Sequence, residues 1–192
     1  MQRFFPFLLL FPLLLIIAGC ALGNTKDNFL SYEKTENVSR IAFMSSLKLN
    51  SKAFSHEGTI PSLYTCDGDD INPPLAIGGV PPESKSLVLI VDDPDAPLGN
   101  FDHWILWNIS PKTIEIKQNS VPEGAVEGKN DFRKTAYGGP CPPEGVHRYQ
   151  FKLYALDTML TLGADARKKD VERAMRGHVL DETVFVGLYS RQ

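Results

Sequence analysis

Four short apolar runs set the pattern of the chain, each bounded by Pro, Gly, Asp or Asn. They are Leu87-Val88-Leu89-Ile90-Val91, Trp104-Ile105-Leu106-Trp107-Asn108-Ile109, Tyr149-Gln150-Phe151-Lys152-Leu153-Tyr154-Ala155-Leu156 and Val184-Phe185-Val186-Gly187-Leu188-Tyr189. β-Branched and aromatic residues in runs of this length predict strands. The third run alternates apolar with polar, as a strand with one solvated face does. The first is apolar throughout and is expected at the centre of a sheet. Helical period shows clearly only over residues 165–176, where Val171, Ala174 and Met175 share a face and Gly177 stands where a helix would stop. No internal repeat is visible, and phosphate-cradling P-loops, dinucleotide-binding glycine fingerprints and nucleophile elbows are absent from the sequence. The pattern predicts a mostly β, antiparallel fold with long loops and a late α-helix.

The N-terminus follows a different pattern. Met1-Gln2-Arg3 is a short positive start, and residues 4–17 are apolar but broken by Pro6 and Pro12. That is too short and too interrupted for a membrane-spanning helix, and it reads as a secretory signal over residues 1–19. Ile17-Ala18-Gly19-Cys20 resembles the bacterial lipoprotein box, in which the cysteine is lipidated and becomes the new N-terminus. The competing reading is ordinary cleavage after Ala21. Acyl chains on Cys20 would hold the protein on a membrane, since several chains bind far more firmly than one. Ala21 in the next position resembles lipoproteins of the outer membrane, so the periplasmic face of that membrane is the expected location. Residues 20–45 are polar, with few apolar positions, and read as the lipidated cysteine and a flexible tether of roughly 25–30 Å reach. The patch Ile41-Ala42-Phe43-Met44 is the exception, an extra strand or dock in the alternative. Residues 46–192 form the expected domain.

Composition narrows the function classes. At 192 residues, 43% hydrophobic and 22% charged, the chain suits one folded domain. Its formal charge is −3, and −4 once Arg3 leaves with the signal, so it lacks the basic surplus that nucleic acid requires. With Cys20 set aside, Cys66 and Cys141 remain, an even number in an exported chain, where a disulfide is permitted. Closing that loop would contribute about 4.5 kcal/mol in the chain-entropy model. Two free thiols are the alternative, and a zinc site is less suited because neither cysteine belongs to a paired CxxC.

The candidate chemistry lies in two Pro/Gly-stiffened segments. Asp93-Pro94-Asp95-Ala96-Pro97 is followed by His103-Trp104, and Gly138-Gly139-Pro140-Cys141-Pro142-Pro143-Glu144-Gly145-Val146 by His147-Arg148-Tyr149. Loops fixed by proline and glycine lose little entropy on binding, so together they can build a small polar pocket. Each piece alone has a plainer reading, as a rigid turn or a core histidine. Their order, with Tyr64-Thr65-Cys66-Asp67-Gly68, Asn72-Pro73-Pro74-Leu75, Asn130-Asp131-Phe132 and Gly177-His178-Val179-Leu180, resembles the phosphatidylethanolamine-binding protein (PEBP) family in its bacterial Raf kinase inhibitor-like branch. The resemblance runs from about Leu47 to the C-terminus.

What the resemblance implies is a β-sandwich with a surface pocket for phosphate-like anions, including phospholipid headgroups. Carried over by position, that pocket comprises Asp93, Asp95, His103, Gly138, Pro140, His147 and Tyr149. The histidines and the tyrosine hydroxyl would donate to the anion, an unblocked N–H near Gly138 would approach it, and Asp93 would orient an imidazole. The chain departs from the family at Ile77, where a tryptophan is usual, which puts the packing beneath that loop in question. It departs again at Asn108-Ile109-Ser110. Three functional classes follow: a module binding anionic small molecules, an inhibitor of a kinase or protease, and a metal-dependent hydrolase using His103, His147 and Asp93. The first is preferred, because no Ser or Cys nucleophile accompanies the histidines and an exported protein would not meet cytosolic kinases. The expectation is a protein that is not an enzyme and carries neither cofactor nor metal, with its protein partner left open.

Overall fold

The computed structural model describes residues 45–191, and every helix and strand below lies within them. The expected signal segment, Cys20 and all but the last residue of the expected tether, including residues 41–44, lie outside the described residues. No helix among the described residues is long and apolar enough to cross a membrane.

Each of the four apolar runs is a strand, extended by a few residues at one or both ends. In chain order the strands are β1 (Lys48–Ser51), β2 (Gly58–Thr59), β3 (Leu75–Gly78), β4 (Ser86–Asp93), β5 (Phe101–Ile109), β6 (Glu115–Ile116), β7 (Val126–Glu127), β8 (His147–Leu156) and β9 (Val179–Tyr189). They form a six-stranded sheet in the order β2-β9-β8-β4-β5-β7 and a three-stranded sheet in the order β1-β3-β6. Ladders are antiparallel except the two-residue pairing of β2 with β9, which is parallel. The apolar run 87–91 is central in the large sheet, and all of β4 is buried.

Side-chain alternation divides the large sheet between two cores. Leu87, Leu89 and Val91 of β4 join Tyr149, Phe151 and Leu153 of β8 in packing against Leu49, Leu75, Ile77 and Ile116 of the small sheet. The intervening Val88 and Ile90 face the other way, toward Val171 and Met175 of α1 (Lys168–Met175). Residues 45–191 therefore form a β-sandwich with an α-helix packed on the outer face of its large sheet. Ile77 fills its place in the sandwich core at 7% exposure, which answers the question raised by the missing aromatic.

The helix is shorter than its period predicts. Residues 165–167 are not helical, because Ala166 turns back to donate its N–H to the Gly163 carbonyl. The Asp170 carboxylate then accepts the Arg167 N–H at 3.1 Å and opens the helix there. Gly177 ends it as expected, with φ of 79° and the following His178 N–H returning to the Met175 carbonyl.

Candidate functional site

Asp92 and Asp93 end β4 side by side and, by strand alternation, leave it on opposite faces. Asp93 goes to the sandwich side. One carboxylate oxygen lies 2.7 Å from His147 Nδ1 and the other accepts the Asp95 N–H at 2.8 Å. That second bond closes an Asx turn, which Pro94 and Pro97 stiffen.

His103 reaches the same side through an irregularity in the ladder. Val91 pairs with Trp104 but Asp92 pairs with Asp102, so His103 is the extra residue of a β-bulge. A bulge re-aims one side chain without breaking the strand. The His103 ring packs edge-on to Tyr149 and Phe132 at 5.2 and 5.3 Å, and tilted to Phe101 at 5.2 Å. Its Nδ1 is 2.7 Å from the Gly138 carbonyl, which can only accept, so Nδ1 bears the proton and Nε2 is left for a ligand. Burial, only partly opposed by the Gly138 carbonyl, pushes the His103 pKa below the ordinary imidazole value. At neutral pH its Nε2 is thus an acceptor, where a donor was expected.

Tyr149 completes the group. It is wholly buried, and among the described residues its hydroxyl has no hydrogen-bond partner. Burial first, and the Asp93 carboxylate second, raise its ionisation well above the phenol range, so it stays a donor. Asp93, His103, His147 and Tyr149 line one cavity of ≈ 400 Å³, walled by Pro97, Leu98, Phe101, Phe132, Pro142 and Pro143.

The other three expected residues do not line it. Asp95 turns outward to Arg148, accepting its backbone N–H at 2.9 Å and its guanidinium through Nε and Nη2, and these bonds hold its pKa down to about 2. Gly138 donates its N–H to the His103 carbonyl at 3.1 Å, so that N–H is not offered to a ligand. A Cβ on Gly138 would stand 2.5 Å from the Phe132 ring, and the glycine makes room for that wall. Pro140 accepts the Cys66 N–H at 3.1 Å and braces the loop. Cys66 and Cys141 are disulfide-bonded with Cα atoms 5.4 Å apart. Asp70 adds a bond to the Gly139 N–H at 2.6 Å, and Tyr137 Oη donates to the Tyr64 carbonyl at 2.9 Å.

The sequence reading missed the aromatic wall. Phe101 borders the histidine bulge and Phe132 is a lone aromatic among Asp131, Arg133 and Lys134, a pattern that could have marked it. It also missed Asn130, which is fully buried and whose amide donates to the His103 and Ala136 carbonyls, fixing the turn that carries Phe132. Among the described residues no group of three or more His, Cys, Asp or Glu is arranged to hold a metal.

Comparison with known proteins finds relatives that match most of the chain. A UPF0098 protein of Methanothermobacter thermautotrophicus is 52% identical over 150 residues, covering 76% of this chain and 99% of that protein. A UPF0098 protein of Aquifex aeolicus is 45% identical over 152 residues, covering 76% and 89%. The crystal structure of a PEBP homologue from Chlamydia trachomatis superposes with a TM-score of 0.75 at 39% identity, covering 78% of this chain and 100% of the other. E. coli YbcL, described as a new member of the mammalian PEBP family, gives 0.73 at 27%, covering 77% and 100%. A family model described as phosphatidylethanolamine-binding protein matches residues 50–190, and the chain belongs to that family.

Proposed function

We propose that the cavity binds a phosphate-like anionic group, free or as a phospholipid headgroup. The protein that carries it is exported and held through lipidated Cys20 at the periplasmic face of the outer membrane. The observation that carries the reading is the convergence of His103, His147 and the unpartnered hydroxyl of Tyr149 on one cavity. Tyr149 Oη donates to an anionic oxygen. His103 Nε2, neutral, accepts from a protonated one. Asp93 keeps His147 in register rather than meeting the ligand bare. Among the described residues no Lys or Arg lines the cavity, so a monoanion bearing one P–OH suits it better than a dianion. The family's name, phosphatidylethanolamine-binding protein, agrees with this chemistry.

The Ser45–Gln192 unit is the material for the test, since it carries both cores and corresponds to nearly the whole of the Methanothermobacter relative. Calorimetric titration with phosphoethanolamine should show one site. Its affinity should fall as pH rises through about 6, where phosphate monoesters lose their second proton. Sulfate, which has no such proton to give, should bind more weakly at every pH. Absence of any phosphoethanolamine binding, or a preference for sulfate, would refute the reading. For the anchor, the full chain expressed in a Gram-negative host should incorporate palmitate and the Cys20→Ser variant should not; equal incorporation defeats that half.

A further inference from the structure

The disulfide lies in the wall of the cavity. Cys141 lines it together with Pro142 and Pro143, the two residues that follow. Among the described residues, 142–146 make no hydrogen bond, and 143–146 are exposed. This wall is therefore held at its back end by β8, which begins at His147, and at its front end by the bond from Cys141 to Cys66. Two prolines stiffen it without attaching it to a neighbour.

The partner loop is fixed by other means. Next to Cys66, the Asp67 carboxylate accepts from Tyr189 Oη at 2.8 Å and from Arg191 Nε at 3.1 Å, which ties the loop to the end of β9. Against that platform the cavity segment makes three hydrogen bonds besides the covalent one: Tyr137 Oη to the Tyr64 carbonyl, the Cys66 N–H to the Pro140 carbonyl and the Gly139 N–H to Asp70. The two loops are pressed together, since a Cβ on Gly139 would stand 2.5 Å from the Tyr64 carbonyl oxygen. Breaking the S–S bond leaves residues 137–140 on hydrogen bonds alone and frees the wall beyond them.

The same segment reaches the imidazole. Gly138 accepts from His103 Nδ1 and donates to the His103 carbonyl, so its position decides which nitrogen of His103 faces the ligand. Loosening one loop would change both the wall and the tautomer. The bond is also within reach of a reductant, because Cys66 is exposed and Cys141 half-buried.

We infer that the Cys66–Cys141 bond is a redox control on the cavity: a dithiol reductant opens it, and opening weakens the hold on the anionic ligand. The proposal rests on the anion-binding reading of the cavity and adds its regulation. A thiolate of the dithiol attacks Cys66 Sγ, the S–S bond breaks, and its electron pair leaves on Cys141 Sγ, which takes up a proton. The second thiolate of the reductant attacks the mixed disulfide, closes the reductant's own disulfide and releases Cys66 as a thiol. Two electrons and two protons pass from the dithiol to the protein.

Calorimetric titration of the Ser45–Gln192 unit with phosphoethanolamine, oxidised and after treatment with dithiothreitol, reads the control. Reduction should weaken binding at least about fivefold, the worth of one ordinary hydrogen bond lost with the orientation of His103. Cys66→Ser should bind as weakly as the reduced protein and ignore the reductant, which assigns the effect to this bond. Hydrogen exchange gives a reading that needs no ligand. The Gly138 and Gly139 amides should exchange faster on reduction while the β4 and β8 ladders keep their protection. Equal affinity in the two redox states overturns the proposal. So does loss of ladder protection on reduction, which would make the bond a staple of the whole fold rather than of the cavity. If the oxidised protein does not titrate, the anion reading falls, and exchange decides the rest: a response at Gly138 and Gly139 upholds the redox control of the cavity, and unchanged exchange there ends it.

Discussion

Asp92 and Asp93 are consecutive, both buried, and used in opposite ways. Asp92 faces α1, where one of its oxygens takes Lys152 Nζ at 2.8 Å, Lys168 Nζ at 2.6 Å and Asn100 Nδ2 at 3.1 Å. Lys168 also reaches Asp102 at 3.1 Å, so the first residue of the helix is pinned to two strands. Asp93, among the described residues, has no Lys or Arg partner and meets one imidazole and one amide beside a cavity. Full neutralisation marks the first carboxylate as part of the frame. The second, held by one imidazole and one amide at the edge of the cavity, belongs to the site. Burial alone would not have told them apart.

The two sides are also held by different means, and breaking each fastening sharpens the contrast. On the cavity side the fastening is covalent. Cys66 and Cys141 are 75 residues apart, and Cys66→Ser with Cys141→Ser should lower unfolding free energy by about 4.5 kcal/mol in urea titration, the chain-entropy value for that loop. On the helix side it is ionic. Asp92→Ala would leave two lysines facing an empty site, at a cost of about 3 kcal/mol. That is the low end of the range for a broken buried pair, because both lysines keep some contact with water. Phosphoethanolamine affinity of the folded Asp92→Ala protein should be unchanged. A large loss of affinity would mean that the two faces of the sheet are coupled and do not act independently.

Legibility followed the same line. The central position of β4 and the long strands β5, β8 and β9 were readable because their runs exceed the length at which period-2 and all-apolar patterns show. Strands of two to four residues, such as β2, β6 and β7, carry too few positions to have a period and exist because a neighbouring strand offers them a ladder. The helix start was misplaced because its N-terminal bond comes from Asp170 three residues inside, not from a capping residue at the boundary. In the site, His147 and Tyr149 share a face because they are two apart on a strand, which follows directly from their numbers. His103 does not follow so simply, since only the bulge sends it to the cavity while Trp104 enters the sandwich core. Gly138 and Pro140 were expected at the ligand because they sit within the motif. The structure uses them to seat Phe132 and to brace Cys66, roles that need the tertiary neighbours to be known.

Binding offers the next cut. His147→Ala should weaken phosphoethanolamine binding by about 1.5–3 kcal/mol, the worth of a hydrogen bond to a charged group, measured by calorimetry. Asp93→Asn retains a side chain of the same shape but loses the carboxylate that fixes His147 Nδ1, so part of that loss should appear there too. If Asp93→Asn bound as well as wild type, the carboxylate would serve stability alone and would resemble Asp92 after all.

The smallest effect separates the two sides by pH. His103 has a folded-state pKa below its ordinary value of 6.5, chiefly through burial, so the unfolded chain takes up the proton more readily than the folded one. Stability therefore rises with pH across that interval: the contribution is complete above about 6.5 and is lost as pH falls through the lower folded value. Asp95 obeys the same sign in a separate window, its contribution present above the ordinary 3.8 and lost as pH falls toward about 2. Being on an exposed pair with Arg148, it should matter little. Urea midpoints measured from pH 7.5 down to 5 should thus decline in wild type and decline less in His103→Gln, whose side chain keeps hydrogen-bonding capacity but cannot take up the proton. Asp95 lies outside that range and does not interfere. Identical slopes in the two proteins would show that the cavity holds His103 no differently from a solvated imidazole, and the neutral acceptor assigned to Nε2 would have to be withdrawn.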